Sequence, residues 1–233
     1  MRLAVFLLPV LLAACSGEAD EPGIVPERDP MATQALNDQI MVDPDLSQQN
    51  EANAALSGNG DHSLPPVVAT REAIEGAKLE AADLVGGTAN LRQLSEPKAA
   101  EPLPEAALYS VTELAKLTTG AEVCAEKASF TARWAARMPA ALPIYPRGNT
   151  IEAAGSDSGG CKLRAVRFLT PVARADVLAF YAASARKAGL NASYSRAGEI
   201  EVVEGGKGAS RYAIYVRRRQ SGISEVGLVT SGF

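Results

Sequence analysis

An unbroken apolar run from Leu3 to Ala14, preceded by the single charge of Arg2, opens the chain. A helix needs roughly 20 apolar residues to cross about 30 Å of hydrocarbon, so this run is too short for a permanent span. Pro9 weakens it further as a stable helix. Its size and layout are those of a secretory leader, residues 1–14, which takes no part in the fold. From Ser16 to about Gly120 the apolar positions come in short stretches only. Asp29-Pro30 and Asp43-Pro44 each set an N-cap aspartate before a first-turn proline and predict short helices over 30–41 and 44–56. Thr70 predicts the cap of a helix running to Val85, stopped by Gly86-Gly87, with Ile74, Ala77, Ala81 and Leu84 near one face. Ser110 and Glu113 have capping-box spacing and predict a short helix ending at Gly120. Residues 58–66 and 93–105 are broken by Gly or Pro and read as loop and linker.

Beyond Ala121 the texture changes. Cys124, Phe130, Trp134 and Met138 recur at roughly helical spacing before Pro139 and predict a helix over 122–138. Leu142-Pro143-Ile144-Tyr145-Pro146 must be extended, because residues before proline avoid the helical region. Residues 150–154 fit a short strand. Residues 161–169 alternate Leu163, Ala165 and Arg167 with Arg164, Val166 and Phe168, a strand pattern. Thr170-Pro171 begins the best helix, with Val177, Phe180, Tyr181, Ser184, Ala185 and Ala188 along one side and Gly189 as its stop. Four strand-like runs follow, 191–196, 199–203, 211–219 and 223–230, separated by turn residues. A strand, a helix and a meander of hairpins predict an α+β fold, an antiparallel sheet with helices on one face. The expected layout is a leader (1–14), a largely disordered or short-helical arm (15–120) and a globular domain (121–233).

Charge sharpens that division. Ser16–Gly120 holds eighteen acidic and six basic residues; Ala121–Phe233 holds nine acidic and sixteen basic. An acidic arm and a basic domain are implied, which bears on partners and steering rather than on fold. The three cysteines are Cys15, Cys124 and Cys161. In an oxidising envelope Cys124 and Cys161 are expected to pair, which by the chain-entropy model contributes about 3–4 kcal/mol. Two cysteines and the single His62, in a polar loop, do not make a zinc site, and no motif calls for a metal or cofactor.

Two resemblances add to this reading. Leu12-Ala13-Ala14-Cys15 resembles the lipobox of bacterial lipoproteins. That resemblance implies cleavage before Cys15, a diacylglycerol on its thiol and acylation of the new amino terminus. Several acyl chains at one site exceed the marginal membrane binding of a single chain. Ser16, where an aspartate would favour the inner membrane in that family, implies an outer-membrane destination facing the periplasm. Leu142-Pro143-Ile144-Tyr145-Pro146, Phe168-Leu169-Thr170, Val177 to Tyr181 and Ala188-Gly189-Leu190 together resemble small envelope domains of bacterial lipoproteins, over residues 139–230. Those domains have no assigned function, and the resemblance carries no functional residues.

Candidate chemistry is sparse. Gly205-Gly206-Lys207-Gly208 lies between two predicted strands and lacks the Gly-Lys-Ser/Thr ending of a phosphate loop, so it reads as a hairpin. Ser156-Asp157-Ser158 has no histidine near it to act as a base, and no enzyme activity is expected. Arg217, Arg218 and Arg219, with Arg164, Arg167 and Arg211, form the candidate anion-binding patch. In an envelope its partners would be lipopolysaccharide phosphates, peptidoglycan carboxylates or an acidic protein segment, not nucleic acid. The expected function is a non-catalytic binding or assembly role at the outer membrane, with the membrane reached through lipid on Cys15. The alternative is a small-ligand-binding periplasmic domain, its cleft lined by Tyr145, Tyr181, Tyr194, Tyr212 and Tyr215.

Overall fold

The computed structural model describes residues 66–233, all of which belong to one compact unit. Cys15 and its lipobox, the two Asp-Pro helix starts and the His62 loop lie outside the described residues.

Helix α1 (Arg71–Val85) begins where Thr70 accepts a hydrogen bond from the Ala73 amide at 3.2 Å, and ends on Gly86 in the left-handed conformation. Both ends match the expected signals. Its buried face is Ala77, Ala81, Ala82 and Val85, and Leu84 turns outward. After a short strand β1 (Lys98–Ala100) comes helix α2 (Val111–Leu117), then α3 (Glu122–Glu126). Ser110 sits at the expected start of α2 without capping it: its hydroxyl meets Thr112, and the Glu152 carboxylate takes the Val111 amide instead.

The expected helix over 122–138 is not found as one element. Only α3 is helical; strand β2 (Ser129–Phe130) and a 3-10 turn (Ala132–Arg137) follow it. Tertiary demands override the spacing. Phe130 joins the sheet edge opposite Ala154, and Trp134 lies on Gly155, whose missing side chain leaves room for the indole. Cys124 bonds to Cys161, 37 residues on, so the expected disulfide fastens α3 to the foot of the next strands.

Those are β3 (Asn149–Ser156) and β4 (Leu163–Thr170), then helix α4 (Arg174–Lys187), and the meander β5 (Asn191–Ala197), β6 (Ile200–Lys207), β7 (Ser210–Arg218) and β8 (Ser224–Ser231). Helix α4 starts three residues past Thr170-Pro171 because Thr170 still pairs with Ser224 and its hydroxyl holds the Val172 amide. The eight strands form one sheet in the order β1-β5-β6-β7-β8-β4-β3-β2. Every pair is antiparallel except β1 with β5.

The α+β class holds, with the two long helices on one face. Val166 and Phe168 of β4, Tyr212 and Ile214 of β7 and Val226 and Leu228 of β8 form the first core with α4 and α1. The alternating positions, Leu163, Ala165, Ala213, Tyr215 and Val229, form a second core on the opposite face. Short helices α2 and α3 cover it through Val111, Leu114, Ala115 and Ala125. The segment assigned to the arm therefore supplies cover to both faces, and the expected boundary at residue 120 moves upstream to before α1. Helix α1 is strapped down by Arg147, which reaches Glu80 at 2.7 Å and lies over Gly76, and by Lys187, which donates to the Leu84 carbonyl.

A chain starting at Ala121 is thus expected to lose cooperative thermal unfolding and to bind a hydrophobic dye, while one starting at Pro66 melts in a single transition. A native-like melt of the shorter chain would place 66–120 outside the fold. Alkaline pH tests the cores. Burial pushes the hydroxyls of Tyr145, Tyr181 and Tyr212 above their ordinary range and that of Tyr215 up to about 12. Between about pH 10 and those folded values the native chain holds more protons than the unfolded one. Denaturant midpoints are therefore expected to be unaffected by these tyrosines below pH 10 and to fall steeply above it.

Candidate anion-binding site

The six candidate arginines do not form one patch. Side chains alternate across the sheet, so Arg217 and Arg219 face the second core while Arg218 faces the first. Arg211 shares a face with Arg217 but lies six residues back along β7, roughly 20 Å away. It borders an open polar trough of about 440 Å³ beyond the end of α2 and donates to the Gly208 and Ser210 carbonyls. Arg164 lies 4.7 Å over the Trp134 ring and bonds Asp157 at 2.6 Å, which Arg137 also reaches.

Arg167, Arg217 and Arg219 instead meet on Glu225. This carboxylate is buried on β8 and accepts from Arg217 at 3.0 Å through both oxygens and from Arg219 at 2.6 Å. Arg167 lies 3.6 Å from Glu225 and 3.6 Å from Glu152. Arg217 also donates to the Leu108 carbonyl, and Glu152 holds Val111, so the cluster ties the segment leading into α2 to the sheet. These three guanidiniums share two carboxylates, Glu225 and Glu152. Their role here is structural, since removing one partner of a buried pair leaves the others uncompensated.

Arg218 is the exception, and its surroundings define a different site. At one end of the sheet β5 stops, β6 starts, β7 stops and α4 begins. There Arg218, Arg196 of β5 and Arg174 of α4 line a cleft of about 330 Å³ with Gly198 and Glu199. A neighbouring lobe of about 470 Å³ shares all three arginines and extends to Tyr194 and residues 93–97. Beneath them lies Glu201, whose side chain is 5 % exposed. One of its oxygens accepts from Arg196 at 2.8 and 3.2 Å and from Arg174 at 3.1 Å; the other accepts from the Tyr194 hydroxyl at 2.9 Å. Arg174 also donates to the Glu199 carbonyl at 3.2 Å. Burial first, and the Glu201 carboxylate second, push the Tyr194 hydroxyl up, so it stays a neutral donor at physiological pH. The hydrogen bonds that Arg196 donates to Glu201 likewise raise Arg196. The Arg218 side chain makes no hydrogen bond or ion pair among the described residues, and the residue is exposed. The cleft thus presents two cations held by one buried, fully engaged carboxylate and a third, Arg218, beside them, with Glu199 and Glu96 at its margins.

Arg174, Arg196 and Glu201 were not among the candidates; Tyr194 was, as part of the tyrosine-lined cleft. One signal was available: a glutamate at 201 between Ile200 and Val202 interrupts an apolar strand, and a buried acid must find cations. Which cations could not be read without the strand pairing. The five tyrosines do not share a cleft. Tyr145 and Tyr181 pack on Phe180 in the first core, Tyr215 lies in the second, Tyr212 bonds the Asn191 carbonyl, and only Tyr194 borders the arginines. No group of three or more metal-ligating side chains occurs among the described residues, and no described helix is long and apolar enough to cross a membrane.

Comparison with family models, curated proteins and solved structures gives no match to the chain.

Replacing Glu225 with glutamine is expected to cost about 2–4 kcal/mol of stability, because three guanidiniums lose their shared partner. The lower end allows for the partial exposure of Arg217 and Arg219. The midpoint of urea unfolding measures it; an unchanged midpoint would mean the cluster is solvated and idle.

Proposed function

We propose that this chain is a lipid-anchored protein of the cell envelope with a non-catalytic binding role at the outer membrane, and that the Arg174–Arg196–Arg218 cleft receives an acidic group of its partner. The single observation that carries the binding site is Arg218, whose guanidinium has no partner among the described residues and stands beside two others that Glu201 holds in place. Arginines fixed by a buried acid lose little side-chain entropy when a ligand arrives, so the site is preorganised.

The anchor rests on Leu12-Ala13-Ala14-Cys15 and the apolar run before it, and the destination on Ser16. The charge division supports a role in binding. Residues 16–65 carry ten acids against Arg28 alone, whereas 66–233 carry twenty-one bases against seventeen acids. A basic unit at an envelope surface is steered toward phosphates and carboxylates, with a strength that falls as salt rises. The second reading, a periplasmic binder of small ligands, gains from the size of the cleft, which lies within the range of small-molecule sites. The two readings share the site and differ in what carries the acid.

In cells, a photoreactive residue in place of Glu199 is expected to capture an envelope component, and Arg218→Ala to abolish that capture. Cys15→Ser is expected to move the chain from the membrane to the soluble fraction. Capture indifferent to Arg218 would remove the cleft from the proposal; a native chain already in the soluble fraction would remove the anchor.

A further inference from the structure

The donors around the cleft narrow the acid it takes. Arg196 spends Nε and one terminal nitrogen on Glu201, leaving its other terminal nitrogen uncommitted. Arg174 spends its terminal nitrogens on Glu199 and Glu201, but its positive charge remains at the rim. Arg218 keeps all five N–H groups. Helix α4 adds its first turn: the Asp176 and Val177 amides return to Ala173, no side chain caps the helix, and residues 173–175 line the larger lobe. The acid in that turn, Asp176, is held outside by Lys78 and Gln93.

The placement of these groups is three-dimensional. Arg196 and Arg218 stand on β5 and β7, the strands either side of β6, so their backbones are roughly 10 Å apart. Arg174 approaches from the helix layer above. A planar carboxylate presents two oxygens in one plane and is satisfied by one or two forks. A phosphomonoester presents three oxygens around a tetrahedral centre and up to two negative charges. Three guanidiniums from three elements, on the same side of the sheet as an uncapped helix start, match the second shape, and guanidinium forks bind phosphate in bidentate fashion.

We infer that the cleft formed by Arg174, Arg196 and Arg218 is a phosphomonoester site. This rests on the binding role proposed above and names the chemical class of its ligand. Two sources fit: a phosphate on a lipid or glycolipid headgroup, and a soluble phosphate ester. The Glu201 carboxylate below excludes neither, because its charge is matched by Arg174 and Arg196. It has a selective effect instead, repelling a ligand that enters deeply and keeping the phosphate at the rim, where Arg218 stands. Affinity is therefore modest and salt-dependent.

The test uses the purified full chain in neutral detergent, titrated by calorimetry at low salt with inorganic phosphate, glycerol 3-phosphate, short-chain phosphatidic acid, a short-chain phosphodiester lipid and acetate. Inorganic phosphate and the two phosphomonoesters are expected to bind at millimolar concentration or tighter, and the diester and acetate at least about tenfold more weakly. Arg218→Ala is expected to weaken phosphate by about tenfold without changing the melting temperature, since Arg218 has no partner to lose; Arg218→Lys restores charge but not the fork and recovers part of the affinity. Phosphatidic acid binding more tightly than glycerol 3-phosphate identifies a lipid source, and equal binding a soluble one. Acetate binding as well as phosphate, or phosphate binding indifferent to Arg218, overturns the assignment. If phosphate fails while Arg218-dependent capture in cells persists, the phosphate class alone is wrong; if both fail, the binding role falls with it.

Discussion

Strands β7 and β8 run between two apolar layers, and that two-sided burial governs the rest of the molecule. A strand covered on both faces cannot leave a buried charge to water, so each acid buried on it or beside it needs a partner supplied by the fold. Glu225 and Glu201 are the two acids placed under this constraint, on opposite faces of the same sheet end. Each gathers arginines. The difference between them is what the surrounding chain does next. Over Glu225 the segment leading into α2 closes down, Arg167 becomes part of the interior, and Arg217 and Arg219 reach in from its edge. Over Glu201 no described segment closes down, and the same kind of cluster is left open at the mouth of a cleft. One electrostatic problem solved twice yields a structural tie on one face and a candidate site on the other.

The elements of the C-terminal half were largely legible because their signals are local. Turn residues at 197–198, 205–208 and 221–222 separate runs of β-branched and aromatic residues, and the meander follows from them, although β6 runs on through Gly205-Gly206-Lys207 and the turn itself is confined to 208–209. The cap at Thr70 and the stop at Gly86 are equally local. What was not legible depends on contacts distant in sequence. Lys98-Ala99-Ala100 has no strand character of its own and becomes β1 only by lying along β5. The residues from Phe130 to Met138 keep helical spacing, yet Trp134 is drawn onto Gly155 and Phe130 into the sheet edge. The continuous run Tyr212-Ala213-Ile214-Tyr215-Val216 did carry the sign of a strand buried on both faces, which would have called for a second covering layer. Its cover comes from residues 107–125, whose prolines and short apolar stretches look like linker when read alone.

The same split explains the site. Runs of arginine draw attention in a sequence, but alternation sends Arg217 and Arg219 to one face and Arg218 to the other. Arg174 and Arg196, which stand alone among neutral or apolar neighbours, gave no sequence signal; the strand order β5-β6-β7 and the helix start brought them to Arg218. A binding surface assembled from single residues of several elements is positioned by the rigid sheet rather than by a motif, and its geometry inherits the stiffness of that sheet.

The strand order also bears on how the chain comes to be folded. β8 is the last element in the sequence, yet it lies in the middle of the sheet, between β7 and β4. Until it is made, the two halves of the sheet have no common seam, and α1 and α2 have no complete surface to cover. Folding therefore waits until β8 has been made, because the pairings that complete the fold join segments far apart in sequence. Under the export proposed above, a chain threaded through a membrane before it folds would gain time from this arrangement, because its sheet has no seam until β8 arrives.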